Sequence, residues 1–328
     1  MLPVKIPMKI AGFLCVLTCS LALAQPPTEL FEDTEFLRGF NVVSSPKGPG
    51  KLDFGLAEED ALPFWTLAPL NSRFDLLNAS LKKFDDGSCE FKDPTKTVRL
   101  YRNEQKEQVL RLDLCTEQEY LRPRKLNEPW PHLLILHDYS PGESVQIAQT
   151  EDLIFSMDVR VRKCDNLMKP EDYDSALHCG QATPYFVFAN RNPNSEDFND
   201  YIWFGVPLFD SRTEVQPPYA ALDGDPKILG TGKLIYVLDG ATVISENYGG
   251  INPFFGEWAH LEIDLCDSVE EALKRAHAMG LLTKTTMADL AFTHFNLGWE
   301  VTGTFDCSLE IKNLRMSCRM ANETGGHE

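Results

Sequence analysis

The chain has 328 residues, and 49 acidic against 31 basic side chains give a formal net charge of −18. That balance excludes nucleic acid and an anionic membrane surface as partners, because phosphate contacts need concentrated Lys and Arg. The length suits one large sandwich core or two modest domains. No apolar run after the first 24 residues approaches the ~20 needed to span a bilayer, so no membrane insertion is expected.

Residues 1–24 read as a secretory signal peptide. Lys5 and Lys9 precede an apolar run at 10–23, and Ala22-Leu23-Ala24 places small residues where a signal peptidase cuts, before Gln25. The mature chain is therefore expected to be secreted or extracytoplasmic. Of nine cysteines, Cys15 and Cys19 fall in this leader, leaving Cys89, Cys115, Cys164, Cys179, Cys266, Cys307 and Cys318. In an oxidising compartment most of these should pair, with one left over. Cys164–Cys179 would staple a loop between two apolar strands, and Cys89–Cys115 would join neighbouring strands. No C-x-x-C spacing or Cys/His cluster suggests zinc or redox chemistry.

Residues 25–95 show few sustained periods and carry Pro26, Pro27, Pro46, Pro49 and Pro63. They are expected to form an irregular extension packed on the core, docked by Phe64-Trp65. Asn78-Ala79-Ser80 and Asn322-Glu323-Thr324 have the form of glycosylation acceptors.

From residue 96 to 318 period-two patterns dominate. Leu153, Phe155, Met157, Val159 and Val161 face one way, with Ile154, Ser156, Asp158 and Arg160 opposite, as a half-buried strand requires. Further strands are predicted at 97–101, 108–114, 132–137, 184–189, 201–206, 233–239, 257–265, 290–296 and 305–316. Gly, Pro, Asp and Asn punctuate the gaps. One helix is expected at 268–280. Ser268 and Glu271 form a capping-box pattern, Val269, Ala272, Leu273, Ala276 and Met279 an apolar stripe, and Gly280 a stop. The fold class is all-β: a two-sheet β-sandwich with one amphipathic helix, an irregular N-terminal region and a loose acidic tail at 319–328.

Long alternating strands, Asp/Asn/Gly-rich loops and a closing C-terminal strand resemble the concanavalin A-like jelly rolls of lectins, glucanases and polysaccharide lyases. Phe295-Asn296-Leu297-Gly298-Trp299-Glu300 and Cys307-Ser308-Leu309-Glu310-Ile311-Lys312-Asn313-Leu314 carry most of the likeness, which covers about residues 100–317. Glu262-Ile263-Asp264-Leu265-Cys266-Asp267 resembles the E-x-D-x-x-E strand of laminarinase-type β-glucanases. That resemblance implies a nucleophile at Glu262, a supporting carboxylate at Asp264 and an acid/base where Asp267 stands, one methylene shorter than the motif's glutamate.

Three groups of residues could carry chemistry. Trp258, His260, Glu262 and Asp264 share one strand face, offering an aromatic platform beside carboxylates and an imidazole. The two carboxylates stand about 6–7 Å apart by strand rise, near the separation that paired glycosidic catalysis uses. His294, Asn296 and Glu300 form the second group, and His137 and Asp138 at a strand end share its rim. Together His260, Glu262, Asp264, His294 and Glu300 are the candidate catalytic residues. Tyr201 and Trp203 on one strand face, with Arg212 in the loop beyond, join Trp258 as candidate substrate-binding residues. They would take over as the site if no cavity reached Glu262.

Asp223-Gly224-Asp225 has the composition of a calcium-loop fragment, with Asp223 and Asp225 as the oxygen ligands of a structural Ca²⁺. The chain has no G-x-S-x-G, H-E-x-x-H, Walker or dinucleotide motif. Carbohydrate is thus the expected partner. Recognition of a polysaccharide or glycan is the leading function, with a polysaccharide-cleaving hydrolase or lyase and a noncatalytic structural or interaction module as the other two classes.

Overall fold

A computed structural model of the protein describes residues 26–43, 48–58, 60–225, 229–248 and 254–321. The leader at 1–24 and the acceptor at Asn322 lie outside the described residues. Among them two sheets form a β-sandwich. The eight-stranded sheet runs Ala259–Asp264, Thr150–Asn166, Phe305–Met320, Gln108–Cys115, Lys96–Arg102, Cys89–Lys92, Lys82–Lys83, with Thr28–Glu29 added beside Phe305–Met320. The twelve-stranded sheet runs Tyr219–Asp225, Leu229–Val237, Tyr201–Gly205, Tyr185–Asn190, Leu290–Val301, His132–Asp138, Trp65–Ala68, Phe40–Val42, Gly50–Leu52. Val145–Gln146, Gly180–Ala182 and Phe209–Asp210 attach to it off this path. Pairing is antiparallel except where Tyr201–Gly205 meets Leu229–Val237 and Phe40–Val42 meets Trp65–Ala68.

The core forms where the inner faces meet. Leu153, Phe155, Met157, Val159 and Val161 are all fully buried, as their alternation predicts. Phe155 reaches across to Phe186 at 4.9 Å and Phe295 at 5.6 Å between ring centroids, which ties one sheet to the other. Each such side chain contributes about 1.5–3 kcal/mol by burial.

Residues 26–95 supply short strands to both sheets, and Phe31, Phe36, Phe40, Phe54 and Trp65 are buried in the shared core. These strands are two to four residues long, too short for a period to register. Trp65 donates its indole N–H to the Asp33 carbonyl at 2.7 Å, locking the segment down.

The expected helix spans Cys266–Ala278 and buries Val269, Ala272, Leu273 and Ala276, the stripe read from sequence. It packs against both Thr150–Asn166 and Tyr201–Gly205, so it closes an end of the sandwich between the sheets. Its start differs from the capping-box expectation. Asp264 Oδ1 accepts from the Cys266 N–H at 3.0 Å, and the helix begins two residues earlier than Ser268. Gly280, at φ 76°, terminates it as predicted. A second helix, Gly240–Tyr248, was not expected. Its β-branched Thr242, Val243 and Ile244 weaken the helical signal, while Asp239 Oδ1 caps it by accepting from the Ala241 N–H at 3.0 Å.

The proposed cysteine pairs also need correction. Cys89 stands opposite Leu100, which faces Leu110, five residues along the strand from Cys115. That offsets the two cysteines by roughly 16 Å along the strand direction at ~3.3 Å per residue, with the Lys96–Arg102 strand between them. Cys179 turns its thiol toward Thr302 and Gln181, away from Cys164.

Candidate functional site

The two outer faces of the sandwich hold the two groups of candidates, and the structure does not bring them together. Trp258, His260, Glu262 and Asp264 lie on the outer face of the eight-stranded sheet, at its edge, with the shared parity expected. Trp258 is half-buried between two cations, the Arg160 guanidinium at 4.9 Å and the Lys312 ammonium at 5.1 Å from its ring centroid. His260 Nδ1 lies 2.7 Å from Asp158 Oδ1, and Asp158 also meets Asn313 and Lys312. Asp264 Oδ1 accepts from the backbone N–H groups of Leu153 and Cys266, a structural use of that carboxylate. Glu262 is 64% exposed. A carboxylate so open to water lacks the enclosing walls that perturb a catalytic acid or hold a sugar.

His294, Asn296 and Glu300 point the other way, from the outer face of the twelve-stranded sheet. Their strand is central there, and Phe295, Leu297 and Trp299 alternate with them into the core. Register builds the face around them. Val187 stands opposite both His294 and Trp203, Tyr185 opposite both Asn296 and Gly205, and Ala189 opposite Tyr201. On the other side Asp138 pairs with His294, and His132 with Glu300.

The result is an aromatic shelf running into a polar patch. Trp203 meets Tyr201 at 5.5 Å, Tyr185 at 6.3 Å and His294 at 5.7 Å, all edge-on, so the rings form a mosaic. Trp203 donates its indole N–H to Thr231 Oγ1 at 3.3 Å. Tyr185 lies over Gly205, where a Cβ would stand only 2.9 Å from the Tyr185 ring. Burial pushes the Tyr185 hydroxyl well above the usual phenol range, with Glu300 and Tyr219 adding to it. Gly298 leaves the shelf floor bare between Asn296 and Glu300. Its φ is +151°, and a Cβ there would stand 2.1 Å from the Leu133 carbonyl oxygen, so the position admits glycine alone.

In the polar patch His294 is only 16% exposed, and its Nδ1 lies 2.7 Å from Asp138 Oδ1, holding that carboxyl below the usual carboxylate range. Asn296 Nδ2 lies 3.2 Å from His294 Nε2, leaving Asn296 Oδ1 buried without a hydrogen-bond partner. Glu300 accepts from Trp130 Nε1 and His132 Nε2, each at 3.3 Å. Burial pushes the Glu300 carboxyl up, but the His132 and Trp130 donors outweigh it and the net shift is downward. The His132 Nδ1 is buried without a hydrogen-bond partner.

Trp130, His132 and Tyr185 were not singled out from sequence; only the pairing of Leu290–Val301 with its two neighbours brings them to Glu300 and Asn296. Asp138 does join the His294 rim as expected. His137 does not, since its ring turns to Phe64, stacked at 3.8 Å.

Arg212 lies beyond the shelf, bound through Nε and Nη2 to Asp210 at 2.9 and 2.5 Å. It lines a pocket of about 530 Å³ with Cys164, Phe209, Ser211, Thr213, Glu214 and Phe255. Asp223 Oδ2 accepts from both the N–H and the hydroxyl of Thr231, pinning a hairpin. The Asp225 side chain lies outside the described atoms. Among the described residues no group of three or more His, Cys, Asp or Glu gathers as a metal shell.

The fold and this face define a two-sheet, jelly-roll-like β-sandwich that presents an aromatic and polar surface from its larger sheet. No protein-family model matches the chain. No curated protein matches it. Among solved structures it is similar to the family 12 xyloglucanase from Bacillus licheniformis, with a TM-score of 0.40 and 9% identity over 74% of this chain and 97% of that one. It is similar also to the family 11 xylanase from Neocallimastix patriciarum, with a TM-score of 0.37 and 8% identity over 77% and 99% of the two chains. Trichoderma harzianum endoglucanase 3 from family GH12 gives 0.37 and 8% over 80% and 100%. Values this low assign neither residues nor activity to this chain.

Proposed function

We propose that the chain is an exported carbohydrate-recognising protein that takes a polysaccharide or glycan along the outer face of its twelve-stranded sheet. The observation that carries this is the juxtaposition of the Tyr201, Trp203 and Tyr185 rings with Asn296, His294 and Glu300 on one face. Aromatic faces pack on the apolar C–H faces of sugars, and polar side chains beside them such as His294 and Glu300 take up hydroxyls. The acidic surface is compatible with a neutral glycan. Among the described residues no helix is long and apolar enough to cross a membrane.

Recognition is the reading proposed, with cleavage as the alternative on the same face. Hydrolysis needs a second carboxyl group facing the first across the bond. Asp138, Asp210 and Asp223 are already bound to His294, Arg212 and Thr231. The site accordingly moves from Trp258, His260, Glu262 and Asp264 to Tyr201 and Trp203, with His294 and Glu300 retained in binding roles.

The test is titration of soluble plant, algal, fungal and animal polysaccharides against the wild type, Trp203→Ala and Trp258→Ala. Trp203→Ala should weaken binding by about 1–3 kcal/mol, the cost of losing an interface anchor, while Trp258→Ala leaves it within twofold. The reverse pattern moves the site to the eight-stranded sheet. Folded protein that binds and cleaves none of the glycans overturns carbohydrate recognition in favour of an interaction module.

A further inference from the structure

Cys164 and Cys307 occupy directly opposite positions in the pairing of Thr150–Asn166 with Phe305–Met320. Opposite residues of an antiparallel pair have Cα atoms about 4.5–5.5 Å apart, inside the ~4.4–6.8 Å that a disulfide spans. Their sulfurs already approach to 3.5 Å. The two thiols lie between the sheets beneath Gly180 of the Gly180–Ala182 strand. A Cβ on Gly180 would come within 2.6 Å of Cys164 Sγ and 3.1 Å of Cys307 Sγ, so glycine there keeps open the space that the sulfurs occupy.

The two cysteines differ in access. Cys307 is fully buried, whereas Cys164 is half-buried and lines the pocket formed with Phe209, Arg212 and Phe255. Burial, reinforced by Cys164 beside it, holds the Cys307 thiol protonated well above the ordinary range. Among the described residues Cys115 stands opposite Asp306 and Cys89 opposite Leu100, so neither faces a cysteine across its strand pair.

We propose that Cys164 and Cys307 form a cross-strand disulfide, closed by exchange with a small-molecule disulfide that enters at Cys164. The Cys164 thiolate attacks one sulfur of the oxidant, the S–S bond breaks and one thiol leaves. Cys307 then attacks Cys164 Sγ, the mixed disulfide breaks, and the departing thiolate takes the Cys307 proton. Two protein thiols are oxidised, one disulfide is reduced to two thiols, and the electrons balance.

The experiment incubates the folded full chain with oxidised glutathione, blocks remaining thiols in denaturant and maps peptides without reduction. Endoproteinase Asp-N cuts before Asp165 and Asp174, which puts Cys164 and Cys179 on separate peptides. Doing this in Cys318→Ser leaves Cys307 as the one cysteine on the peptide that starts at Asp306. The expected product joins residues 158–164 to that peptide, and the link is lost in Cys164→Ser. The oxidised wild type should melt about 5–10 °C above the reduced form, since the bond closes a long loop. Recovery of Cys164 linked to another cysteine, or of both thiols blocked after oxidation of protein with an intact melt, overturns the proposal. Because the comparison of redox states uses the wild type, a poorly folding variant does not decide the outcome.

Discussion

Replacing Glu300 with Gln keeps the shape of the side chain and removes its charge at the centre of the polar patch. The wild-type carboxylate accepts two hydrogen bonds on one oxygen, from Trp130 and His132, each at 3.3 Å. A hydrogen bond to a charged group contributes about 1.5–3 kcal/mol when well formed. Both bonds here are long and share one acceptor, and Glu300 is 21% exposed, so about 1–2 kcal/mol for the pair is the appropriate scale. For a chain of this size that corresponds to a melting temperature lower by roughly 2–6 °C.

The pH dependence follows from the sign of the shift. The folded carboxyl is held below its ordinary value, so Glu300 binds a proton more readily in the unfolded chain than in the folded one. Its stabilisation is therefore complete above the ordinary glutamate range near ~4.3 and is lost as pH falls through the lower folded value. Scanning fluorimetry of wild type and Glu300→Gln from pH 3 to 8 should show a gap that is constant above about pH 6 and closes in acid. A gap that stays constant down to pH 3, or widens there, would refute the assignment of the charge as the stabilising element.

Two further substitutions probe the scaffold beneath the site. Gly298→Ala should cost about 2–4 kcal/mol in urea unfolding, because the backbone conformation and the Leu133 carbonyl both exclude a Cβ. A loss under 1 kcal/mol would mean that the strand relaxes at that point. Lys96 is fully buried, with its ammonium 2.8 Å from Asp93 and 3.6 Å from Glu119. Lys96→Met should lower stability by about 3–5 kcal/mol in urea unfolding, since it strands two buried carboxylates. A loss under 1 kcal/mol would mean that the ammonium is not what holds Asp93 and Glu119 in place.

Much of the sandwich was legible because burial leaves a periodic trace in each strand. Leu153 through Val161 showed which side faced the core, and Trp258 through Asp264 showed a shared parity that the structure keeps. Parity does not say which sheet a strand joins. His294 and Glu300 were grouped with Glu262 although they emerge from opposite sides of the molecule, because sheet membership depends on partners far away in the chain. The same limit hid Trp130 and His132, which lie some 170 residues before Glu300 and meet it only through register. Short strands such as Phe40–Val42 escaped for a different reason, since three residues cannot display a period of two convincingly.

The Phe305–Met320 strand has a consequence for how the molecule reaches this structure. It lies in the interior of the eight-stranded sheet, between Thr150–Asn166 and Gln108–Cys115, and Thr28–Glu29 also pairs with it. During synthesis two incomplete half-sheets therefore emerge before the Phe305–Met320 strand that joins them. Until it arrives, Thr150–Asn166 and Gln108–Cys115 each have an open edge, and the contacts that join the earliest and latest strands carry the full cost of loop closure. Folding of this sheet should thus be slow and coupled to delivery of Phe305–Met320, since until then the open edges can pair with other chains.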